Sequence, residues 1–423
     1  MFKKTPLAII GILFFIFGFI TWLNSALVPF LKISCELNNF ESYFVTFVFY
    51  IAYFIFALPS AKVIDKIGYR RSITLGLLVM ALGGLFFIPA ALSRFYLFFL
   101  TGLFLMGAGL ALLQTAANPY AAILGPPETA ARRISIMGVC NKFAGVLAPL
   151  VFGSVALSAA DRIMKELETP GLTLMAREEM LDALAHKCLI PYILIVAFLC
   201  LLALFVKISK LPDIAQDDSR KQEACGNEAN QSGQGLRLFS RPTLWGGVLA
   251  LFFYVGAEVI SVDTLIGNAM EQGMSPSSAK IFPAFSMVAF ILGYFLGIIG
   301  IPKLFNQRTA LILSASASIA VVLAAIFTPG LASLYILVWL GFTNAMIWPA
   351  VWGIAIQGLG KYTSLGASLL IMAIVGGAII PLLFGKMADL IGFRLSYWLV
   401  IPCYAFILAY ALFIAKPKEK HAQ

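Results

Sequence analysis

Charge is scarce in this chain. Over 423 residues only 12% are Asp, Glu, Lys or Arg, while 61% are hydrophobic and the mean hydropathy is +0.94. A soluble domain carries about 25% charged residues and about half apolar ones, so a water-soluble fold is excluded and lipid is the expected solvent. Histidine is scarcer still: His186 and His421 are the two copies, one in a connecting segment and one in the tail. The six cysteines show no C-x-x-C spacing. No bound metal, cofactor or disulfide framework is expected from such a set. The absence of H-E-x-x-H, G-x-S-x-G and Walker A patterns argues against an enzyme and against a nucleotide-driven pump. A net charge of +10 could indicate nucleic acid, but in a membrane protein it directs attention to how Lys and Arg divide between loops, and no nucleic-acid partner is expected.

Long apolar runs, by contrast, recur throughout, each near the ~20 residues that cross a ~30 Å hydrocarbon core. They predict twelve helices near 7–31, 41–64, 72–92, 95–121, 132–157, 189–208, 243–270, 278–301, 308–328, 331–359, 363–385 and 394–415. The first run follows Lys3-Lys4 like a signal peptide, but it continues to Pro29 without an A-x-A-type site and is read as a retained helix. With the N-terminus placed in the cytoplasm, 20 of the 30 basic residues fall on the inner side and 9 on the outer, leaving Lys142 inside a helix. Both termini are therefore expected in the cytoplasm.

The chain also repeats itself. Residues 144–153, AGVLAPLVFG, parallel residues 376–385, GGAIIPLLFG, placing Pro149 and Pro381 232 positions apart. Gly68 and Gly300 share that offset, and Pro119 and Pro349 differ by 230. A near-constant offset indicates duplication. The expected architecture is an all-α integral membrane protein with the major facilitator fold, twelve transmembrane helices in two six-helix pseudo-symmetric halves. The halves are residues 1–208 and 242–423, joined by a polar cytoplasmic linker at 209–241. A second polar segment, 158–187, contains a short amphipathic helix outside.

Polar side chains within the helices carry the functional signal, because a charge at the bilayer centre costs about 2.5–3.5 kcal/mol even on mild insertion scales. They are Asn24 and Ser25 in helix 1, Gln114 and Asn118 in helix 4, Asn141 and Lys142 in helix 5, Glu258, Asp263 and Asn268 in helix 7, and Asn344 and Gln357 in helix 10. Amides both donate and accept, which matches the hydroxyls of a neutral polyol, so a sugar fits best; for any single amide, hydrogen bonding between helices is the alternative. Trp348 and Trp352 stand four residues apart on one helix face and can cover the apolar face of a pyranose, or else pack against lipid or a neighbouring helix. Lys142 and Glu258 lie at depths within reach of long side chains, so an ion pair between halves is one reading; it can gate transport or be a static pair, and the alternative is a Lys142 that snorkels along an aqueous cavity. Asp263 and Glu258 are the acids available for coupling to Na+ or H+, with Glu36 and Glu41 at the rim. The segment Asp65-Lys66-Ile67-Gly68-Tyr69-Arg70-Arg71 is similar to the D-x-x-G-x-R signature loop of the superfamily, in which acid and base latch the cytoplasmic gate, so Asp65 and Arg70 are gating candidates. An anionic sugar such as a hexuronate paired with Lys142, an uncoupled uniporter and a non-transporting sugar sensor stay open alternatives.

The strings FGFITWLNSALVPFLK (17–32), LLQTAANPYAAILGP (112–126), FFYVGAEV (252–259) and LLIMAIVGGAIIP (369–381) resemble the fucose–galactose–glucose permease family, over nearly the whole chain. The resemblance implies import of a hexose or amino-hexose across the inner membrane of a Gram-negative bacterium, energised by a cation gradient. Fucose permeases of this family carry an Asp directly after the residue matching Asn24 and a Glu at the position of Gln114. Ser25 and Gln114 stand there in this chain, which places it nearer the glucose/galactose members. The helix 1 carboxylate that would serve proton coupling is absent. The expected partners are a sugar and the lipid bilayer, with the chain acting as a monomer.

Overall fold

In the computed structural model, residues 4–123, 130–167, 172–209, 241–300, 306–356, 359 and 363–414 are described. Among them, twelve helices are long and apolar enough to cross a membrane. These are α1 (Ile9–Ser34), α2 (Asn39–Ile67), α3 (Tyr69–Ser93), α4 (Tyr96–Ile123), α5 (Ala130–Leu167) and α6 (Leu189–Ile208) in the first half. The second half has α7 (Pro242–Asp263, continuing as Leu265–Glu271), α8 (Pro276–Gly300), α9 (Gln307–Phe327), α10 (Ala332–Ala355), α11 (Thr363–Met372, then Gly376–Ile391) and α12 (Phe393–Ile414). The amphipathic segment expected before α6 forms Leu174–His186, whose first turn is capped by Thr173 accepting from the Ala176 N–H. Most of the 209–241 linker lies outside the described residues.

Several of these helices are interrupted where the sequence supplies a competing group. In α1 the break falls at Leu23, beside a Ser25 Oγ that donates to the Trp22 carbonyl at 2.8 Å; such back-bonding bends helices. In α7 the Thr264 hydroxyl donates to the Ile260 carbonyl at 2.7 Å, at the junction between its two segments. In α10 the regular segment stops at Asn344 and resumes at Ile347. Pro349 accounts for this, because its ring clashes with the carbonyl of residue i−4, Ala345.

Close crossings use small residues. A Cβ on Gly18 of α1 would overlap the Asn141 carbonyl of α5, and one on Gly376 of α11 would overlap the Phe252 carbonyl of α7. Such contacts supply association in lipid, where no hydrophobic force drives helices together. Overpacking typically costs about 1–3 kcal/mol. Gly18→Val is therefore expected to lower the thermal midpoint of the purified protein, and an unchanged midpoint would contradict this crossing.

The two halves meet along two helix pairs, α2 with α11 and α5 with α8. Tyr43 of α2 meets Phe384 of α11 edge-to-face at 6.2 Å between ring centroids. Across the other pair, a Cβ on Gly145 of α5 would meet Met287 Sδ of α8 at 2.8 Å. One end of the bundle, the terminal face, carries the start of α1 and the end of α12; the opposite face carries the α1–α2 turn.

Candidate substrate pathway between the halves

The centre of the seam holds an ion pair. Lys142 Nζ of α5 lies 2.6 Å from Glu258 Oε1 of α7, with side chains 5% and 12% exposed. The same ammonium sits over the Trp22 and Phe290 rings, at 4.0 and 4.1 Å from their centroids. Four helices, two from each half, thus converge on one cation. A desolvated cation over an aromatic face gains about 2 kcal/mol, which offsets part of the cost of removing the pair from water.

Amides and aromatics extend from this pair on both sides. In the first half, Trp22 Nε1 donates to Asn141 Oδ1 at 3.3 Å, and Asn141 Nδ2 donates to the Phe14 carbonyl at 3.4 Å, so Asn141 bridges α5 to α1. Gln114 Nε2 of α4 donates to the Tyr53 hydroxyl of α2 at 3.1 Å. In the second half, Ser261 Oγ donates to the Glu258 carbonyl at 2.7 Å and accepts from Asn344 Nδ2 of α10 at 3.4 Å. Trp348 and Trp352 stack with centroids 5.6 Å apart, and Trp348 lies 6.3 Å from the Tyr254 ring. Gln114, Asn141, Glu258, Trp348 and Trp352 remain partly exposed, while Asn24, Lys142, Asp263 and Asn344 are buried. Gln114, Asn141 and Asn344 are pre-positioned by bonds to the scaffold.

The opposite face is closed by two aspartates that cross between halves in matching ways. Asp389, at the end of α11, accepts from the Asn39 and Phe40 backbone N–H groups at 2.9 and 2.8 Å, capping the start of α2. Asp161, near the end of α5, accepts from the Ser277 backbone N–H of α8 at 3.1 Å and from the Ser277 hydroxyl. Each carboxylate satisfies donors that the first turn of a helix leaves free, and it meets the positive end of that helix dipole. On the same face Lys32 Nζ donates to Asn39 Oδ1 at 2.5 Å, and Arg177 pairs with Glu36. Replacing Asp161 and Asp389 together by Ala is expected to open this face. Spin labels placed here on α2 and α11 should show a longer distance population than in the parent, and an unchanged distribution would contradict the latch.

The profile of the Major Facilitator Superfamily matches residues 10–371 of this chain. The chain belongs to the major facilitator superfamily. It is 35% identical over 409 residues to a glucose/galactose transporter of Brucella abortus, covering 96% of this chain and 93% of that one. It is 32% identical over 417 residues to the L-fucose-proton symporter of Escherichia coli, covering 96% and 92%. The crystal structure of an E. coli fucose:proton symporter superposes with a TM-score of 0.72 at 28% identity, over 98% of this chain and 99% of that one. An inward-facing bacterial homologue of the lysosomal transporter Spinster shares the fold, with a TM-score of 0.71 at 17% identity over 98% and 97%.

Within this facilitator fold the anticipated residues separate into groups. Asn141, Lys142, Glu258 and Asn344 converge on one site; on α10, Trp348 meets the Tyr254 ring of α7 and Trp352 stacks on Trp348. Gln114 is held apart on α4 by Tyr53. Lys142 is committed to Glu258 rather than presented as a free cation. Arg70 Nη1 reaches the Ser209 carbonyl at the end of α6, within its own half, at 3.4 Å. The Asn118 and Asp65 side chains and Gln357 lie outside the described residues. Sequence reasoning passed over Trp22 and Phe290, which enclose the ammonium, and also Asp161 and Asp389. A signal for Asp389 was present: DLIGFRLS at 389–396 repeats DKIGYRRS at 65–72. Both strings make the same turn, with Gly68 at φ 80° and Gly392 at φ 79°. Ser72 and Ser396 Oγ then donate to the Gly68 and Gly392 carbonyls at 2.8 and 2.7 Å.

Proposed function

We propose that this protein imports a neutral hexose or amino-hexose by alternating access, coupled to H+ or Na+, across a bacterial inner membrane with both termini in the cytoplasm. The observation that carries this reading is the seam itself: amides with both donors and acceptors, a stacked tryptophan pair, and a charge pair that is already neutralised. A sugar offers hydroxyls to the amides and an apolar ring face to Trp348 and Trp352. A relative named as a glucose/galactose transporter and another named as a fucose-proton symporter support the same substrate class and a cation-driven cycle.

Alternating access places the substrate between halves near the midplane and rocks them about it. The aspartate latches close the opposite face in this structure, and the excess of basic residues on the terminal side orients that side inward. The state described therefore corresponds to closure toward the outside. Glu258 satisfies Lys142, so no net positive charge attracts a hexuronate here, and the neutral substrate is favoured over the anionic one.

A panel of neutral hexoses, amino-hexoses and hexuronates, scored by quenching of tryptophan fluorescence in the purified protein, tests the substrate class. Saturable quenching by a neutral or amino-hexose is expected. Saturable quenching by hexuronates alone would overturn this reading in favour of an anionic sugar.

A further inference from the structure

Among the described residues, two that are not glycine hold a left-handed backbone: Glu36 at φ 52° and Arg94 at φ 51°. That conformation brings an L-residue's Cβ close to the following carbonyl, which is why glycine usually fills it. Glu36 lies in the α1–α2 turn and Arg94 in the α3–α4 turn, both on the opposite face. Their side chains hold one and the same element, the short helix Leu174–His186. Arg177 Nε donates to Glu36 Oε1 at 3.0 Å, and its Nη2 reaches the same oxygen. Arg94 Nη2 lies 2.8 Å from Glu178 Oε2, and its Nη1 lies 3.2 Å from Asp182 Oδ1 and 3.4 Å from the Glu178 carbonyl. The helix buries Leu181, Leu184 and Ala185 and packs on the ends of α1, α3 and α5.

The α1–α2 turn is also where the second half docks. α1 ends in a Schellman turn, in which the Leu37 N–H donates to the Lys32 carbonyl at 2.9 Å and the Glu36 N–H to the Ile33 carbonyl at 3.3 Å. Glu36 thereby occupies the left-handed position of that motif. Three residues on, the Asn39 and Phe40 N–H groups meet Asp389 of α11, and a Cβ on Gly385 of α11 would stand 2.9 Å from the Asn39 carbonyl. Lys32, just before the turn, holds Asn39 Oδ1 and lies 5.9 Å from the centroid of the Phe393 ring of the second half. The α3–α4 turn supports the same helix start, since the Tyr96 hydroxyl donates to the Glu41 carbonyl at 2.6 Å. The direction in which α2 presents its free N–H groups is therefore set by a turn whose one strained residue is held by Arg177.

We infer that helix Leu174–His186 is a strap that positions the latch: anchored by Arg94 at one point, it uses Arg177 to hold Glu36 in the left-handed turn that offers the start of α2 to Asp389. Arg177 acts through Glu36 and is a positioning residue. The strap offsets the strain of the turn, docking to Asp389 requires that turn, and the two contacts favour one another. With Glu36 and Arg177 side chains 38% and 45% exposed, the pair contributes modestly, so the strap biases the balance between closed and open faces rather than locking it. The effect on closure rests on the geometry alone; its consequence for the rate of exchange rests on the transport reading above.

The test is the distance between spin labels at these ends of α2 and α11, measured in full-length purified protein without sugar. Arg177→Ala should raise the open population by up to about fivefold, the most that an exposed pair supports. Glu36→Gly alone should match the parent, because glycine takes the left-handed turn without a strap. Added to Arg177→Ala, it should restore the parental distribution. A helix that serves stability only would lower the thermal midpoint in Arg177→Ala without moving the distances. Unchanged distances in Arg177→Ala, or an opening that Glu36→Gly fails to repair, would overturn the inference. So would an equal opening in Lys187→Ala, which removes an exposed charge beside the strap without touching either anchor. No sugar takes part, so a failure of every hexose to exchange would sink the transport reading and leave the strap standing.

Discussion

Replacing Lys142 by Met is expected to stop sugar exchange and to destabilise the protein together. The substitution strands Glu258 between α7 and the seam with no counter-charge, and breaking a buried pair by removing one partner costs about 3–5 kcal/mol. Glu258→Met strands the ammonium between Trp22 and Phe290 and should cost a comparable amount. The double replacement by two methionines removes both charges, and apolar pairs of similar volume are often neutral or stabilising relative to a buried ion pair. Thermal stability should therefore recover in the double variant. Transport should not recover if the pair must break and reform as the halves rock. Exchange at the parental rate in the double variant would show that the pair is static.

The second large effect concerns the stacked rings. Trp348→Ala is expected to weaken hexose binding by about thirtyfold, since losing a buried aromatic surface costs about 2 kcal/mol. Trp352→Ala should act in the same direction, with a smaller combined effect than the product of the two because the rings touch each other. Titration of bound sugar by equilibrium dialysis checks both. Affinity within twofold of the parent in the Trp348→Ala, Trp352→Ala double variant would remove the rings from the binding surface and leave them as helix packing.

Much of this was legible in the residue string, for physical reasons. The membrane helices follow from composition and run length, because a ~30 Å apolar slab imposes one length scale. Depth made the Lys142–Glu258 pair one of the readings open to the sequence, because opposite charges inside lipid gain from meeting; the structure forms it in preference to a snorkelling lysine. What stayed hidden depends on which rotation brings helices from different halves together. Whether Asn141 and Asn344 face substrate or tie helices together is open in the sequence, and the structure shows them bonded to Trp22, Phe14 and Ser261. Asp161 and Asp389 went unnoticed in the sequence, since a cap on a helix 116 or 350 residues away leaves no local pattern. The breaks in α1 and α7 come from single hydroxyls at Ser25 and Thr264, which a hydropathy window averages away. Asp263 carried a signal as a charge inside a span, but only the structure shows its buried Oδ1 without a hydrogen-bond partner.

Counterflow in proteoliposomes tests the central claim most directly. Purified protein reconstituted into vesicles preloaded with unlabelled galactose or glucose should draw in labelled sugar from outside above its equilibrium level, without any ion gradient. Failure of every neutral and amino-hexose to exchange, in vesicles whose protein is folded and still binds sugar, would contradict transport and identify a sugar-binding membrane protein that does not carry its ligand across.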